Sequence, residues 1–333
     1  MREALYYRLH GQGVMCSLCP KQCVITEGRT GFCRVRKNIG NKLYAQNYAA
    51  CSSYALDPIE KKPLYHFYPG SLILSLGTWG CNFSCTFCQN WQIAQESPRT
   101  RSLMPESAVE MAKQYESKGN IGIAYTYSEP SVWYEYVLDT AKAVQRAGLK
   151  NVLVTNGFIN PEPLQALLPY IDALNIDVKA FNNEFYQTIC AGSLSSVKRT
   201  VEVAAQACHV EITTLLVPGL NDDRAEIDKL SQWLADINPN IPLHFSCYFP
   251  NHKMDVPSTP ESTMEMAQDI AAQYLNYVYL GNMNGDGGNT YCPQCSQLLI
   301  ERSEFHSYLV DGSHCPQCGN KINIVGETSS NSL

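Results

Sequence analysis

The sequence predicts an α/β fold in which six β/α units form a partial (β/α)6 TIM-like barrel. Short apolar segments alternate with longer helical segments, and Pro105 and Gly148 mark helix ends. Each short segment is apolar throughout, as expected for parallel strands that are buried on both faces. The predicted strands are 72–76, 121–126, 151–155, 173–178, 210–216 and 242–247, and the predicted helices are 105–118, 131–147, 161–168, 194–207, 223–236 and 261–276. Active-site residues are expected where the strands end.

Length and composition exclude several classes of protein. The chain has 333 residues, enough for one large domain with small additions. It has no run of about 20 apolar residues that could span a bilayer, and its N-terminus lacks a secretion signal pattern. We therefore expect a cytoplasmic protein that does not bind membranes. The net charge of −6 argues against a general nucleic-acid binder.

Composition shifts divide the chain into four parts. Residues 1–70 are interpreted as a cysteine-rich segment and linker, in which the Tyr- and Pro-rich stretch 41–70 connects to the barrel. Residues 71–280 are the barrel. A glycine-rich linker opens a zinc-ribbon-like module at 281–326, and the Ser-, Thr- and Asn-rich residues 327–333 are expected to be disordered.

Cysteine is the unusual component of the composition. Eleven of the fifteen cysteines fall in three clusters, at 16–33, 81–88 and 292–318. In a reducing cytoplasm such clusters indicate metal sites rather than disulfides. The cysteines outside the clusters are interpreted as mainly structural.

The middle cluster lies directly after the first predicted strand. Cys81, Cys85 and Cys88 have the spacing C-x3-C-x2-C. Three thiolates can hold three irons of a cubane [4Fe–4S] cluster and leave the fourth iron open to a small molecule. The alternative is three buried, reduced cysteines that act as small apolar residues. The polar residues between them favour a loop and hence the cluster.

The outer clusters have different spacings. At the C-terminus two C-P-Q-C pairs, separated by nineteen residues, fit a zinc ribbon and predict structural zinc on Cys292, Cys295, Cys315 and Cys318. At the N-terminus the candidates are Cys16, Cys19, Cys23 and Cys33. Their spacing permits tetrahedral zinc, an iron–sulfur cluster or free thiols, and does not separate these alternatives.

The loop 77–91 resembles the cluster-binding loop of the radical S-adenosylmethionine (SAM) superfamily, which has an aromatic residue before the third cysteine, here Phe87. The resemblance continues at the strand ends. Glu129-Pro130 resembles a glycine-glycine-glutamate-proline element that contacts the amino group of SAM, with Tyr127 and Ser128 in place of the glycines. The N-terminal cysteine segment is similar to that of a radical SAM branch related to glycyl-radical-enzyme activases.

Later strand ends supply further candidates. Asn156 follows the third strand in a turn similar to one in the activases, and its amide suits ribose hydroxyls. Asp177 and Lys179 lie on the same side of the fourth strand and resemble an Asp-Leu-Lys motif. A cation such as Lys179 could hold the SAM carboxylate, and an anion such as Asp177 could hold a ribose hydroxyl or the sulfonium side of SAM. The resemblance places Val217 beside adenosine.

Several of these residues have a structural alternative. Glu129 could cap the next helix, and Asp177 and Lys179 could form a plain salt bridge. His244 is a candidate pocket residue or a buried, paired histidine. His66 is a candidate functional residue near the cluster, with a hydrogen-bonded packing role as the favoured alternative. Cys247 stands where many relatives have arginine.

Taken together, the motifs resemble those of the radical SAM enzymes of the AmmeMemoRadiSam system, relatives of pyruvate formate-lyase activating enzyme. The resemblance implies an oxidoreductase that uses a [4Fe–4S] cluster to cleave SAM to methionine and a 5′-deoxyadenosyl radical. This radical would abstract hydrogen from an unidentified substrate. Expected partners are a flavodoxin or ferredoxin electron donor and either the other AmmeMemoRadiSam proteins or a protein substrate.

Two other functions stay open at this point. One is a glycyl-radical-enzyme activase that acts on a partner protein. The other is a non-catalytic metal-binding protein that recruits a partner through its zinc modules.

Overall fold

The computed structural model describes residues 1–283 and 286–328. Its centre is an eight-stranded sheet in which the strands lie side by side in chain order. Seven strands are parallel, and the first strand pairs antiparallel to the second. The strands are β1 (Ser53–Pro58), β2 (Leu72–Gly77), β3 (Asn120–Thr126), β4 (Lys150–Thr155), β5 (Ala173–Asp177), β6 (His209–Leu216), β7 (Leu243–Cys247) and β8 (Val278–Gly281). The first and last strands do not pair, so the barrel is partial, as predicted.

Helices connect the parallel strands, as right-handed β/α units require. The main helices are α1 (Pro105–Gln114), α2 (Tyr134–Arg146), α3 (Pro161–Leu167), α4 (Leu194–Ala204), α5 (Arg224–Ile237) and α6 (Glu261–Ala271). Shorter helical turns are Ile59–Lys61, Trp91–Ala94, Glu116–Lys118, Pro130–Trp133, Leu168–Tyr170, Asn183–Phe185, Tyr186–Cys190 (a π-helix) and Asp286–Gly288. All six predicted strands and six predicted helices are present, with ends that differ by a few residues.

Two strands of the sheet were not predicted. β1 lies inside the stretch interpreted as a connection and has no fully buried residue along its length. Pro58 stands at the end of β1, where the missing N–H of proline is tolerated. β8 has four residues at the other edge of the sheet. Edge strands need less apolar character than central ones, so neither produced a strong sequence signal.

Small antiparallel sheets flank the barrel. Before it, Arg2–Glu3, Lys42–Ala45 and Arg36–Ile39 form one sheet, Tyr7–His10, Gly13–Cys16 and Val24–Thr26 form a second, and Ala50–Cys51 pairs with Arg101–Ser102. After it, Thr290–Tyr291, Leu298–Glu301 and His306–Ser307 form a third three-stranded sheet. The division into four parts stays a prediction, and most of the tail expected to be disordered, 329–333, lies outside the described residues.

The segment after β1 fills the barrel from the end where the strands begin. Ile59, Leu64 and Phe67 are buried against Val152 and Ala173 of the sheet. This end of the barrel is therefore closed by packing, which leaves the opposite end for a site. Within 1–283 and 286–328, no helix has both the length and the apolar character needed to cross a bilayer.

Candidate active site

A cavity of about 350 Å³ contains most of the residues that the sequence nominated. Cys81, Cys85 and Cys88 line it together. Other nominated residues in the lining are Phe87, Glu129, Asn156, Asp177 and Lys179. These side chains come from the loop after β2 and from the ends of β3, β4 and β5, so the sheet itself brings them together.

The cysteine loop is fixed against the π-helix Tyr186–Cys190. The backbone N–H groups of Ser84 and Thr86 donate to the carbonyl oxygens of Cys190 and Ile189 at 3.0 and 3.2 Å. Gly192 permits this approach, since a Cβ there would lie 2.3 Å from the Phe83 ring. π-Helical turns are frequent at functional sites, and this one positions the loop.

Cys190 itself is a site residue that the sequence interpretation missed. It is fully buried and its thiol lies beside that of Cys85. The interaction with Cys190, together with burial, raises the pKa of Cys85 well above its ordinary value. The two cysteines are 105 positions apart, and only the packing of the π-helix reveals the contact.

Glu129 accepts three hydrogen bonds inside the cavity wall. Its Oε1 accepts from the Ser131 N–H at 2.9 Å and the Thr155 hydroxyl at 2.7 Å, and its Oε2 accepts from the Asn156 N–H at 2.8 Å. The bond from Ser131 is the helix cap foreseen as an alternative. Burial raises the pKa of Glu129, although these donors oppose the increase. A cation that reaches Glu129 would stabilise its ionised form.

The side chain of Asn156 connects β4 to the cysteine loop. Its amide nitrogen donates to Asn82 Oδ1 at 2.9 Å and lies 3.6 Å from the sulfur of Cys81. Hydrogen bonds to thiolate sulfur are one means by which a protein adjusts an iron–sulfur cluster. The amide therefore acts on the cysteine loop, in addition to the predicted role towards a ribose.

Asp177 and Lys179 form an ion pair of 2.9 Å in the cavity wall. Burial favours the neutral amine, but the Asp177 carboxylate and, in their thiolate form, the nearby cysteines outweigh it and raise the pKa of Lys179 well above its ordinary value. Lys179 is thus a cation in a partly enclosed cavity. Its ammonium has three donors, so it can bind a second carboxylate while it holds Asp177.

Tyr127 occupies a glycine position of the resembled motif. Its φ is 66°, in the left-handed region that favours glycine. Its phenol donates to Asp57 at 2.7 Å, and Lys62 donates to the same carboxylate at 2.8 Å. Asp57 lies on β1 and Lys62 also lines the cavity, so the unpredicted edge strand contributes to the site.

Three other nominated residues lie elsewhere. Val217 and His244 do not line the cavity. His244 donates to or accepts from Glu211 at 2.6 Å, and the carboxylate of Glu211 also binds His209. His66 contacts Tyr279 and the carbonyl oxygen of Asn323. The buried, paired alternative therefore describes both His244 and His66.

The four C-terminal cysteines converge on one point. Cys292 and Cys318 have sulfurs 3.6 Å apart, as have Cys295 and Cys315. Four thiolates on one tetrahedral Zn²⁺ would stand about 3.8 Å apart, from Zn–S bonds of about 2.3 Å. This group can hold a single metal ion.

Comparisons with known proteins agree with this geometry. Residues 76–230 match the family model described as the radical SAM superfamily. The matched region contains the cysteine loop and the ends of β2 to β6. The chain belongs to the radical SAM superfamily.

Relatives of this radical SAM chain differ widely in similarity. The uncharacterized protein MJ0808 of Methanocaldococcus jannaschii is 45% identical, over 98% of this chain and 100% of the relative. Pyruvate formate-lyase 1-activating enzyme of Escherichia coli is 26% identical, over 59% of this chain and 86% of the relative. The structure of Streptococcus suis SuiB bound to S-adenosylmethionine matches with a TM-score of 0.53 at 12% identity. The match covers 64% of this chain and 52% of the SuiB chain. This last match concerns the fold alone.

The superfamily implies a [4Fe–4S] cluster and SAM, and the cavity fits both. Three cysteines face one space, and the volume of about 350 Å³ lies in the range of small-molecule sites. The same lining offers the carboxylate of Glu129 and the ammonium of Lys179 to a ligand with both an amino group and a carboxylate.

Proposed function

We propose that this radical SAM protein is an oxidoreductase that cleaves SAM reductively and abstracts hydrogen from a separate substrate. The observation that supports it is the single cavity shared by Cys81, Cys85 and Cys88 with Glu129 and Lys179. The cysteines would hold three irons of the cluster and leave one open. When bound, the cluster supplies the electron that converts SAM to methionine and a 5′-deoxyadenosyl radical.

Glu129 and Lys179 would bind the two charged groups at the methionine end of SAM. Glu129 would receive the amino group, because Oε2 accepts one hydrogen bond within the protein and a carboxylate oxygen can accept more. Lys179 would receive the carboxylate alongside Asp177. Together they would orient the methionine end of SAM towards the open iron, which is a positioning role.

The remaining lining limits the substrate. Lys61, Thr213, Ser246 and Asn282 lie in the cavity wall and are polar. Ala94, Val154 and Leu215 in the same wall are apolar, so the lining suits a substrate that has both apolar surface and hydrogen-bonding groups. The substrate could be a small molecule or a peptide of a protein that acts in an AmmeMemoRadiSam system, with a flavodoxin or ferredoxin as electron donor.

Activation of a glycyl-radical enzyme is the second candidate. It is favoured because the match to pyruvate formate-lyase 1-activating enzyme covers 86% of the length of that enzyme. The substrate would then be a glycine of a partner protein. At 26% identity the comparison supports the shared SAM chemistry more strongly than the shared partner.

The test is SAM cleavage by the full chain. The protein would be reconstituted anaerobically with iron and sulfide, reduced in the presence of SAM, and assayed for 5′-deoxyadenosine. Cys88→Ala should abolish the product. Cys208→Ala, at a half-buried cysteine outside the cavity, is the matched control and should retain it. A loaded, reducible protein that forms no 5′-deoxyadenosine would overturn the proposal and favour a non-catalytic partner-recruiting function.

We further propose structural zinc at the C-terminal cysteines. Their module contacts the barrel through Arg302, which donates to the carbonyl oxygen of Tyr65 at 2.8 Å, and through Asn323, which contacts His66 at 2.7 Å. A metal that orders the module would therefore also support the segment that closes the barrel.

A further inference from the structure

The N-terminal cysteines share a cavity of their own. Cys16, Cys19, Cys23 and Cys33 all line it, together with Lys21 and Arg36. Cys16 and Cys33 are buried and the other two are half-buried. Four thiols from different turns that face one internal space are not the arrangement expected of scattered packing residues.

Their spacing differs from that of the C-terminal site. Within residues 1–283 and 286–328, one group of three or more potential metal ligands has all its ligand atoms within 4.8 Å of one another. This group is Cys292, Cys295, Cys315 and Cys318. The N-terminal cysteines do not meet this limit in any set of three. Zinc ligands on one ion would need to lie about 3.8 Å apart.

The cysteines of the SAM site provide an internal comparison. Cys81, Cys85 and Cys88 also share a cavity and also fall outside the 4.8 Å limit. Thiolates on separate irons of a cubane stand farther apart than thiolates on one ion. The N-terminal set is therefore like the SAM-site set, and unlike the C-terminal set, in that its sulfurs do not converge on a single point.

The surroundings suit an anionic cluster. Arg36 is fully buried at the cavity, where Glu135 pairs with it at 2.7 Å and balances its charge, so Lys21 supplies the net positive charge of the lining. The N–H of Phe32 donates to the sulfur of Cys23 at 3.4 Å. Cationic side chains and N–H donors to sulfur both stabilise thiolates that bind iron.

We propose that Cys16, Cys19, Cys23 and Cys33 bind a second [4Fe–4S] cluster. With four cysteine ligands every iron is coordinated, so this cluster has no open iron for SAM, and its chemistry is to accept and donate single electrons. It lies next to the SAM site, because Asn82 lines its cavity while the adjacent residue, Cys81, lines the other.

The experiment removes the SAM-site cluster and counts what is left. A Cys81→Ala/Cys85→Ala/Cys88→Ala variant of the full chain would be reconstituted anaerobically, and its iron, sulfide and zinc measured. We expect about four irons and about four sulfides per chain. Adding Cys16→Ala and Cys19→Ala should remove them, whereas adding Cys208→Ala should not.

Electron paramagnetic resonance distinguishes the two clusters. After reduction with dithionite, the signal of the triple variant should be unchanged by SAM, because no iron is open. A triple variant without iron, or with one additional zinc in its place, would overturn the proposal. Should this variant fail to fold, iron is counted in wild type and in Cys16→Ala/Cys19→Ala instead. About eight irons per chain in wild type and about four in the variant would support a second cluster. About four irons in both proteins would contradict the proposal. None of these measurements depends on SAM cleavage, so failure of the proposed function would be seen separately.

Discussion

The phenol of Tyr127 donates a hydrogen bond of 2.7 Å to the carboxylate of Asp57, on the antiparallel edge strand β1. Tyr127 has a left-handed backbone, which costs a non-glycine residue about 1–2 kcal/mol. Burial opposes ionisation of Asp57, but Lys62 and Tyr127 outweigh burial and lower its pKa. The edge strand thus holds the turn that leads to Glu129 in a conformation where the family motif has glycine.

Tyr127→Phe should destabilise the protein by about 1 kcal/mol, because it removes one hydrogen bond to a carboxylate and keeps the ring. It should also weaken SAM binding, since the turn before Glu129 becomes less fixed. Urea denaturation and equilibrium dialysis with SAM measure the two effects. Tyr54→Phe is the control, because Tyr54 lies exposed on β1, the strand that carries Asp57. Equal losses in both variants would show that the hydrogen bond to Asp57 is not the cause.

Sequence reasoning found those parts of the site that are local in the chain. The cysteine loop and the polar residues at strand ends carry their chemistry within a few positions, and a parallel sheet then brings them together. Asp57 and Cys190 were missed because their roles arise from contacts with Tyr127 and Cys85, distant in sequence.

The contacts of the paired histidines His66 and His244 are also with residues distant in sequence, and the sequence did not reveal them. No local pattern reveals that Glu211 accepts hydrogen bonds from the backbone of Tyr65 and His66 and contacts His209 and His244. This carboxylate ties the segment that closes the barrel to β6 and β7. His244 therefore serves packing at the closed end, although its position in a strand is compatible with a pocket.

Glu129→Gln should weaken SAM binding by about tenfold at neutral pH, through loss of a hydrogen bond between charged groups worth about 1.5 kcal/mol. The pKa of Glu129 is raised, so in wild type the carboxylate is protonated at a higher pH than an ordinary glutamate. The Kd for SAM should consequently rise as the pH falls towards that raised pKa. In Glu129→Gln this pH dependence should disappear.

Equilibrium dialysis of reconstituted protein across mildly acidic to neutral pH would measure this effect. Glu110→Gln, on the exposed face of α1, should behave as wild type. The same slope of Kd against pH in Glu129→Gln and wild type would rule out Glu129 as the titrating group.

Cys190→Ala should lower the midpoint potential of the SAM-site cluster. In the loaded protein Cys85 is a thiolate, and the Cys190 thiol can donate to it. Hydrogen bonds to cluster sulfurs favour the reduced, more negative state, so removing the donor should make reduction harder. An anaerobic redox titration followed by electron paramagnetic resonance measures the potential, with Cys208→Ala as control. An unchanged potential with intact iron content would show that Cys190 serves packing alone.

Cys318→Ser should release the C-terminal metal and reduce thermal stability. Cys318 is exposed, so its thiol adds little to a hydrophobic core, and a loss of stability would come from the lost metal. Zinc should fall by about one per chain while iron is unchanged. The unfolding temperature should decrease for the barrel as well, because Arg302 and Asn323 connect the module to Tyr65 and His66. Elemental analysis measures the metal and calorimetry measures the unfolding temperature, with Cys208→Ser as the matched control. Loss of iron instead of zinc would show that the C-terminal cysteines bind an iron–sulfur cluster.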